Sequence, residues 1–235
     1  MISVIIPAYN EAADLSKTIR ETIAFLEDRE VPWEIIIVND GSIDNTYEKA
    51  VNISQECPRV KICGYRNNMG KGYALKYGFQ FARGNLVLFL DADSDLPPFQ
   101  IGLFLEYMEV RNVDIVIGSK RHPLSKVNLS SSRRILSMGY SLLVKVLFNL
   151  NITDPLVGIK LFRKEVLDLV LPKVRVRRYA FDTELLANAV RLGYNIAEAP
   201  VELNFHRNSG INLKGIYHIF IDTLMSFYRV RILHN

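Results

Sequence analysis

Apolar residues along this chain fall into two alternating rhythms: unbroken runs of about five, and stretches recurring every three to four positions. The runs are Ile2-Ser3-Val4-Ile5-Ile6, Glu34-Ile35-Ile36-Ile37-Val38, Val60 to Gly64, Leu86-Val87-Leu88-Phe89-Leu90 and Asp114-Ile115-Val116-Ile117-Gly118. Such runs, without polar alternation, predict strands buried on both faces of a parallel sheet. Between them, Leu15, Ile19, Ile23 and Leu26, then Tyr47, Val51 and Ile53, then Leu75, Phe79 and Phe81, then Ile101, Phe104, Leu105 and Met108 recur at helical spacing. Asp14 or Asn10 suits the cap of the first helix. Strands and helices alternating over short connections predict the α/β class, a mostly parallel central sheet wound right-handedly and flanked by helices.

Past residue 117 the rhythm loosens. Lys126 to Arg134 reads as a polar, basic, mobile connection, followed by an apolar helix over 135–152 that Asp154-Pro155 ends. Gly158-Ile159-Lys160-Leu161-Phe162 predicts a short strand, and Asp182 opens another helix, either as its cap or as a functional group. A last strand is expected over Glu198 to Phe205. The final segment, 213–235, predicts an amphipathic helix that docks on the domain or lies in a membrane interface. No apolar run reaches the roughly 18 residues of a spanning helix. Met1 leads straight into a strand without a basic leader, so the expectation is a cytoplasmic protein, peripheral at the cytoplasmic face of a membrane.

Composition adds bounds. The 235 residues, 49% hydrophobic and 23% charged, suit one large folded domain and exclude a disordered chain. Cys57 and Cys63 are too few for a disulfide framework and read as free thiols, and the four histidines form no zinc motif. The net charge of +4 hides an asymmetry. Residues 1–117 carry 11 Lys/Arg against 17 Asp/Glu, whereas 118–235 carry 18 against 8. The second half should therefore face something anionic. Its basic residues are not interleaved with exposed aromatics in a recognisable module, which argues against nucleic acid.

The candidate chemistry gathers at strand ends. Pro7 to Glu11, Asp40 to Ser42, Asp91 to Asp95 and Ser119 to Arg121 each follow a strand, and a parallel sheet sets those ends along one rim. Tyr9 can stack on a base, while Glu11 and Asp40 can accept hydrogen bonds from base or ribose. Asp91, Asp93 and Asp95 would repel one another unless a cation such as Mg2+ or Mn2+ holds them. Gly70-Lys71-Gly72 lacks the spacer and hydroxyl of a phosphate loop, and reads instead as a helix start beside the ligand. Together these residues suit a nucleoside diphosphate.

Pro7-Ala8-Tyr9-Asn10-Glu11, Val38-Asn39-Asp40-Gly41-Ser42, Asp91-Ala92-Asp93 and the helix start at Asp182 to Leu186 resemble, in order, the motifs of glycosyltransferase family 2, which has the GT-A fold. Asn68 to Gly72, Gly118 to Arg121, Asp154-Pro155 with Gly158 to Arg163, and Tyr179 to Asp182 are similar to the dolichyl-phosphate and polyprenyl-phosphate hexosyltransferases within it. The resemblance implies a single GT-A domain. Its nucleotide-sugar half would span 1–117 and its acceptor half 118–212. Pro7, Tyr9, Glu11, Asp40, Asp91, Ala92, Asp93 and Arg207 would hold the donor, and Asp91, Asp93 and Asp95 the metal. Asp95 stands where the mannosyl enzymes often have Gln, and Ile211-Asn212 replaces their usual Ser-Lys. The implied reaction is inverting, metal-dependent transfer of a hexose from GDP-mannose or UDP-glucose to a polyprenyl phosphate. Asp93 and Asp182 would be catalytic, and Lys120, Arg121, Arg133 and Arg134 would meet the acceptor phosphate. Transfer to a saccharide hydroxyl, or nucleotide-sugar binding without turnover, are the alternatives.

Overall fold

The structure, a computed structural model, describes residues 1–128, 131–178, 180–203 and 213–232, with side chains throughout except at 131–133, 213–216 and 232. Seven strands form one sheet: β1 (Ile2–Ala8), β2 (Trp33–Asp40), β3 (Val60–Tyr65), β4 (Leu86–Leu90), β5 (Ile115–Ser119), β7 (Ile159–Arg163) and β8 (Ile196–Pro200). Their order is β3-β2-β1-β4-β7-β5-β8. All pairings are parallel except those of β7, which runs antiparallel between β4 and β5. The fold is GT-A, and the expected mostly parallel sheet holds with one reversed strand at its centre. Residues of both halves of the chain share this sheet.

Helices cover both faces, because nearly every side chain of the central strands is buried. On one face α1 (Leu15–Glu27), α2 (Thr46–Glu56) and α4 (Gln100–Val110) pack Leu15, Ile19, Ile53, Ile101 and Phe104 against Val4, Ile6, Ile35 and Leu88. On the other, α3 (Lys71–Phe79), α5 (Ser131–Phe148), α6 (Lys164–Val170) and α7 (Phe181–Arg191) cover Ile5, Ile36, Phe89 and Phe162. Phe89 and Phe162, neighbours across β4 and β7, set their rings 5.0 Å apart. Burying each such side chain stabilises the fold by about 1.5–3 kcal/mol.

Three expectations are corrected. The connection after β5 is only partly loop: β6 (Lys126–Val127) pairs in parallel with β9 (Glu202–Leu203) as a second small sheet, and α5 begins at Ser131. This pairing is long-range, so no local pattern announces it. The last strand begins at Ile196, and its continuation belongs to β9. Asp182 lies in the first turn of α7, where Ala180 is the N-cap and no side chain caps the helix.

The final helix, α8 (Leu213–Phe227), continues through a π-helical turn to Ile232. It docks on the domain through Thr223, Ser226 and Val230, which are buried, while Tyr217, Phe220, Leu224, Met225 and Tyr228 stay exposed. Among the described residues no helix is long and apolar enough to cross a membrane.

Candidate active site

At the C-terminal ends of β1, β2 and β4 the chain folds into a crevice of about 520 Å³. Eight of the residues expected from sequence line it together: Pro7, Tyr9, Glu11, Asp40, Asp91, Ala92, Asp93 and Asp182. Ala8, Asn68, Gly70, Lys71, Leu156, Arg178 and Ile219 complete it. Asp95, Lys120, Arg121 and Arg134 are not in its lining. Arg207 and the side chain of Arg133 lie outside the described residues.

One wall is held almost entirely by main-chain hydrogen bonds. Asn10, at φ 56°, accepts from Ile43 N through Oδ1 at 2.9 Å and donates its own N–H to Ser42 Oγ at 3.1 Å. Gly41 takes φ +71°, and a Cβ there would strike the backbone of Asn67 and Asn68, so only glycine suits this turn. Buried Asp40 accepts from Met69 N at 2.7 Å, Gly70 N at 2.9 Å and Asn68 Nδ2 at 2.9 Å. Three of a carboxylate's roughly four lone-pair positions are thereby used, which ties the start of α3 to the end of β2, and the Tyr65 hydroxyl also lies against this carboxylate.

The loop after β4 presents the aspartates. Ser94 adopts φ 58°, and its hydroxyl joins that of Thr18 at 2.8 Å, while Thr18 also donates to Ala92 O at 3.0 Å. Asp95 N donates to Asp93 Oδ1 at 3.2 Å. Burial, then the charges of Asp91 and Asp95, push the Asp93 carboxyl up to about 7. Asp91 is paired with Lys71 Nζ at the start of α3. Burial pulls Lys71 down, but Asp91, Asp182 and Asp93 outweigh it and keep the ammonium above its usual range. Gly158, the residue before β7, leaves room for this arrangement: a Cβ there would overlap the Asp91 carboxylate.

The opposite wall rests on an ion pair. Lys160, in the middle of β7 opposite Phe89 and Ile117, is 1% exposed. Its Nζ lies 2.9 Å from Asp182 Oδ1 and donates to Val157 O at 2.5 Å. Burial lowers the Lys160 pKa despite Asp182 beside it. Among the residues expected to meet the acceptor, Lys120 Nζ lies 3.4 Å from Asp154, and Arg121 Nη2 donates to Ser137 Oγ at 3.4 Å.

The donor set fits a divalent cation of the hard, oxygen-preferring kind. Among the described residues no group of three His, Cys, Asp or Glu side chains is arranged to hold a metal by itself. Asp91 and Asp93 nevertheless offer crowded, mutually repelling carboxylates. Mg2+ and Mn2+ commonly use one or two protein carboxylates and fill their remaining positions with phosphate and water.

Sequence reasoning placed the start of α3 beside the ligand but assigned no role to Lys71, nor to Lys160 or Arg178. A lone lysine inside an apolar strand was the available signal for Lys160, since a buried ammonium needs a carboxylate. Leu156 and Ile219 carry no such signal and reach the crevice only through folding.

Comparison with known proteins agrees with this geometry. The pattern of the family described as "Glycosyl transferase family 2" matches residues 3–171. Two dolichyl-phosphate beta-glucosyltransferases of Trichomonas vaginalis are 35% and 36% identical to the chain, over 93% and 97% of its length and 68% and 74% of theirs. Among solved structures, glucosyl-3-phosphoglycerate synthase from Mycobacterium tuberculosis, in complex with Mn2+, UDP and phosphoglyceric acid, shares the fold with a TM-score of 0.73 at 22% identity. That match covers 97% of this chain and 78% of that one. With the ordered motifs brought into one crevice on a GT-A sheet, the chain belongs to glycosyltransferase family 2 and is a glycosyltransferase.

Proposed function

We propose that the protein transfers glucose, or a closely related hexose, from a nucleoside-diphosphate donor to the phosphate of a polyprenyl or dolichyl lipid. The observation that carries this reading is the crevice itself. It sets a nucleoside wall (Pro7, Tyr9, Glu11, Asp40), a pair of carboxylates suited to a metal (Asp91, Asp93) and a second wall with Asp182 around one space. The names of the relatives favour glucose and a dolichyl phosphate, and the UDP and Mn2+ of the structural neighbour favour a uridine donor with a divalent cation.

In the mechanism we infer, Tyr9 stacks on the base while Asp40, in the same lining, accepts a hydrogen bond from base or ribose. Asp91 and Asp93 would hold the cation, which when bound acts as a Lewis acid toward the departing diphosphate. Lys71, already against Asp91, lies where its ammonium can shift toward a donor phosphate. The acceptor is a phosphate monoester whose second pKa is about 6, so its oxygen is already anionic at neutral pH and no strong base is needed. That oxygen attacks the anomeric carbon as the bond to the diphosphate breaks, inverting the configuration. Asp182, with Oδ1 held by Lys160, orients the acceptor through Oδ2. Lys120, Arg121, Arg133 and Arg134 would guide the lipid phosphate toward this wall, with the exposed apolar side chains of α5 and α8 facing the lipid.

The test is incubation with labelled UDP-glucose and GDP-mannose, a short polyprenyl phosphate and Mn2+ or Mg2+, followed by organic extraction. Label from UDP-glucose in the lipid phase is expected. Label appearing only in water-soluble saccharide would overturn the lipid acceptor.

A further inference from the structure

Beside the crevice lies a second cavity, of about 370 Å³, lined by Arg175, Arg177, Arg178 and Arg229, with Asp222 as the only carboxylate of its lining among the described residues. Arg229 is committed to buried Glu184, with Nε 3.1 Å from Oε1, and the same carboxylate accepts from the main chain of Arg175 and Val176. Arg178 donates to Asn68 O at 3.2 Å, and Arg177 lies over the ring of Tyr73. Among the described residues none of Arg175, Arg177 and Arg178 is paired with a carboxylate. The local field is positive enough that Arg175 and Arg177 add to burial in lowering the pKa of nearby Lys76. Three arginines without an ion-pair partner along one cavity, two of them also lining an adjoining pocket with Lys76, suit a phosphate, which arginine grips with paired N–H donors.

The surroundings of the cavity indicate what carries that phosphate. Met225, in its lining, is 55% exposed, and it belongs to α8 with exposed Tyr217, Phe220, Leu224 and Tyr228. α5 adjoins α8, where Tyr140 and Thr223 hydroxyls meet at 3.1 Å, and exposes Ile135, Met138, Leu142 and Val146 in turn. Apolar side chains in this number, next to a basic cavity, suit a bilayer interface. The cavity shares Asn68 and Arg178 with the crevice, and Asn68 holds Asp40. It therefore opens beside the nucleoside wall, and Asp91, Asp93 and Asp182 are not in its lining.

We propose that this arginine-lined cavity binds the phosphate headgroup of an anionic bilayer lipid, holding the protein on the membrane with the apolar residues of α8 in the interface. The proposal rests on the reading above only in requiring that this face meet a membrane. It needs no transfer to a polyprenyl phosphate.

The test is co-sedimentation of the full chain with phosphatidylcholine vesicles, with and without phosphatidic acid or a polyprenyl phosphate. Wild type should prefer phosphatidic acid, and Arg175→Ser/Arg177→Ser should weaken that binding by roughly tenfold. Melting temperature and UDP affinity should be unchanged. Lys17→Ser/Arg20→Ser, which removes the same charge from α1, should keep the preference. Equal losses in both double variants would show an effect of net charge alone and overturn the site, as would undiminished binding by Arg175→Ser/Arg177→Ser. A loss confined to polyprenyl-phosphate vesicles would also overturn it, because the cavity would then serve the acceptor. Absence of sugar transfer with a normal vesicle preference would sink only the proposed reaction.

Discussion

The crevice has two walls of different construction. The wall from β1, β2 and β4 is shaped by turns directly following parallel strands, and its side chains are short and held by N–H groups and hydroxyls, as Asp40 and Asn10 are. The wall from β7 and α7 is shaped by long charged side chains reaching inward, with Lys160 and Asp182 neutralising each other away from water. The first spreads its stability over many contacts to N–H groups and hydroxyls, with the Asp91–Lys71 ion pair beside them. The second concentrates it in one pair, where losing either partner strands a charge.

The largest expected effect separates chemistry from architecture on the first wall. Asp93→Asn should lower kcat/KM on the order of 10³-fold, the scale of removing one preorganised electrostatic group. Its melting temperature should not fall, since the change relieves the crowding with Asp91 and Asp95. Kinetics against Mn2+ concentration read this out, and near-normal activity would deny Asp93 any role with a metal.

On the second wall the order reverses, and stability should suffer first. Lys160→Met leaves Asp182 buried and unpaired, at a cost of about 3–5 kcal/mol in urea unfolding. Adding Asp182→Leu should recover most of that loss. A double variant as unstable as the single one would mean that Lys160 acts through packing and not through its partner.

Glu34 sharpens the contrast, being a buried charge on the first side of the sheet with distributed support. It accepts from Ser3 Oγ at 2.8 Å, Arg83 N at 2.7 Å and Lys61 Nζ at 2.7 Å. Burial raises its pKa, but these partners outweigh burial and leave it below the ordinary glutamate value. A depressed carboxyl contributes stability that is present above about pH 4.5 and disappears as pH falls through the folded value. Glu34→Gln should therefore cost about 1 kcal/mol at neutral pH, with the difference from wild type closing in acid. A gap that persists at pH 3 would contradict this account.

The smallest effect belongs to the outer surface of the second half. Leu142→Ser/Val146→Ser on α5 should change stability by no more than about 0.5 kcal/mol, because both side chains are exposed. Vesicle binding should weaken all the same. A large drop in melting temperature would show that these residues pack against protein.

Much of the first wall was legible because its information is local. An apolar run makes a buried strand, parallel strands aim their ends at one rim, and polar residues just past those ends must meet there, which united Tyr9, Asp40 and Asp93 before any contact was known. The second wall was not legible in the same way. The strand at Gly158 to Phe162 could be read, but not that β7 would enter antiparallel between β4 and β5, since strand order depends on contacts far apart in sequence. The same cause hid the β6–β9 pairing and left Asp182 readable either as a helix cap or as a functional group, since its partner lies 22 residues earlier.

By itself, then, the amino-acid order determined which segments become strands and helices, which strand ends carry carboxylates, and that the second half is basic, because these follow from local periodicity and covalent neighbours. Only tertiary structure decided that Lys71 would rest on Asp91 and Lys160 on Asp182, that the Asp95 N–H would hold Asp93, and that four arginines would line a cavity beside α8. Charge pairing and cavity shape depend on distances across the sheet, and the linear chain does not contain those distances until it folds.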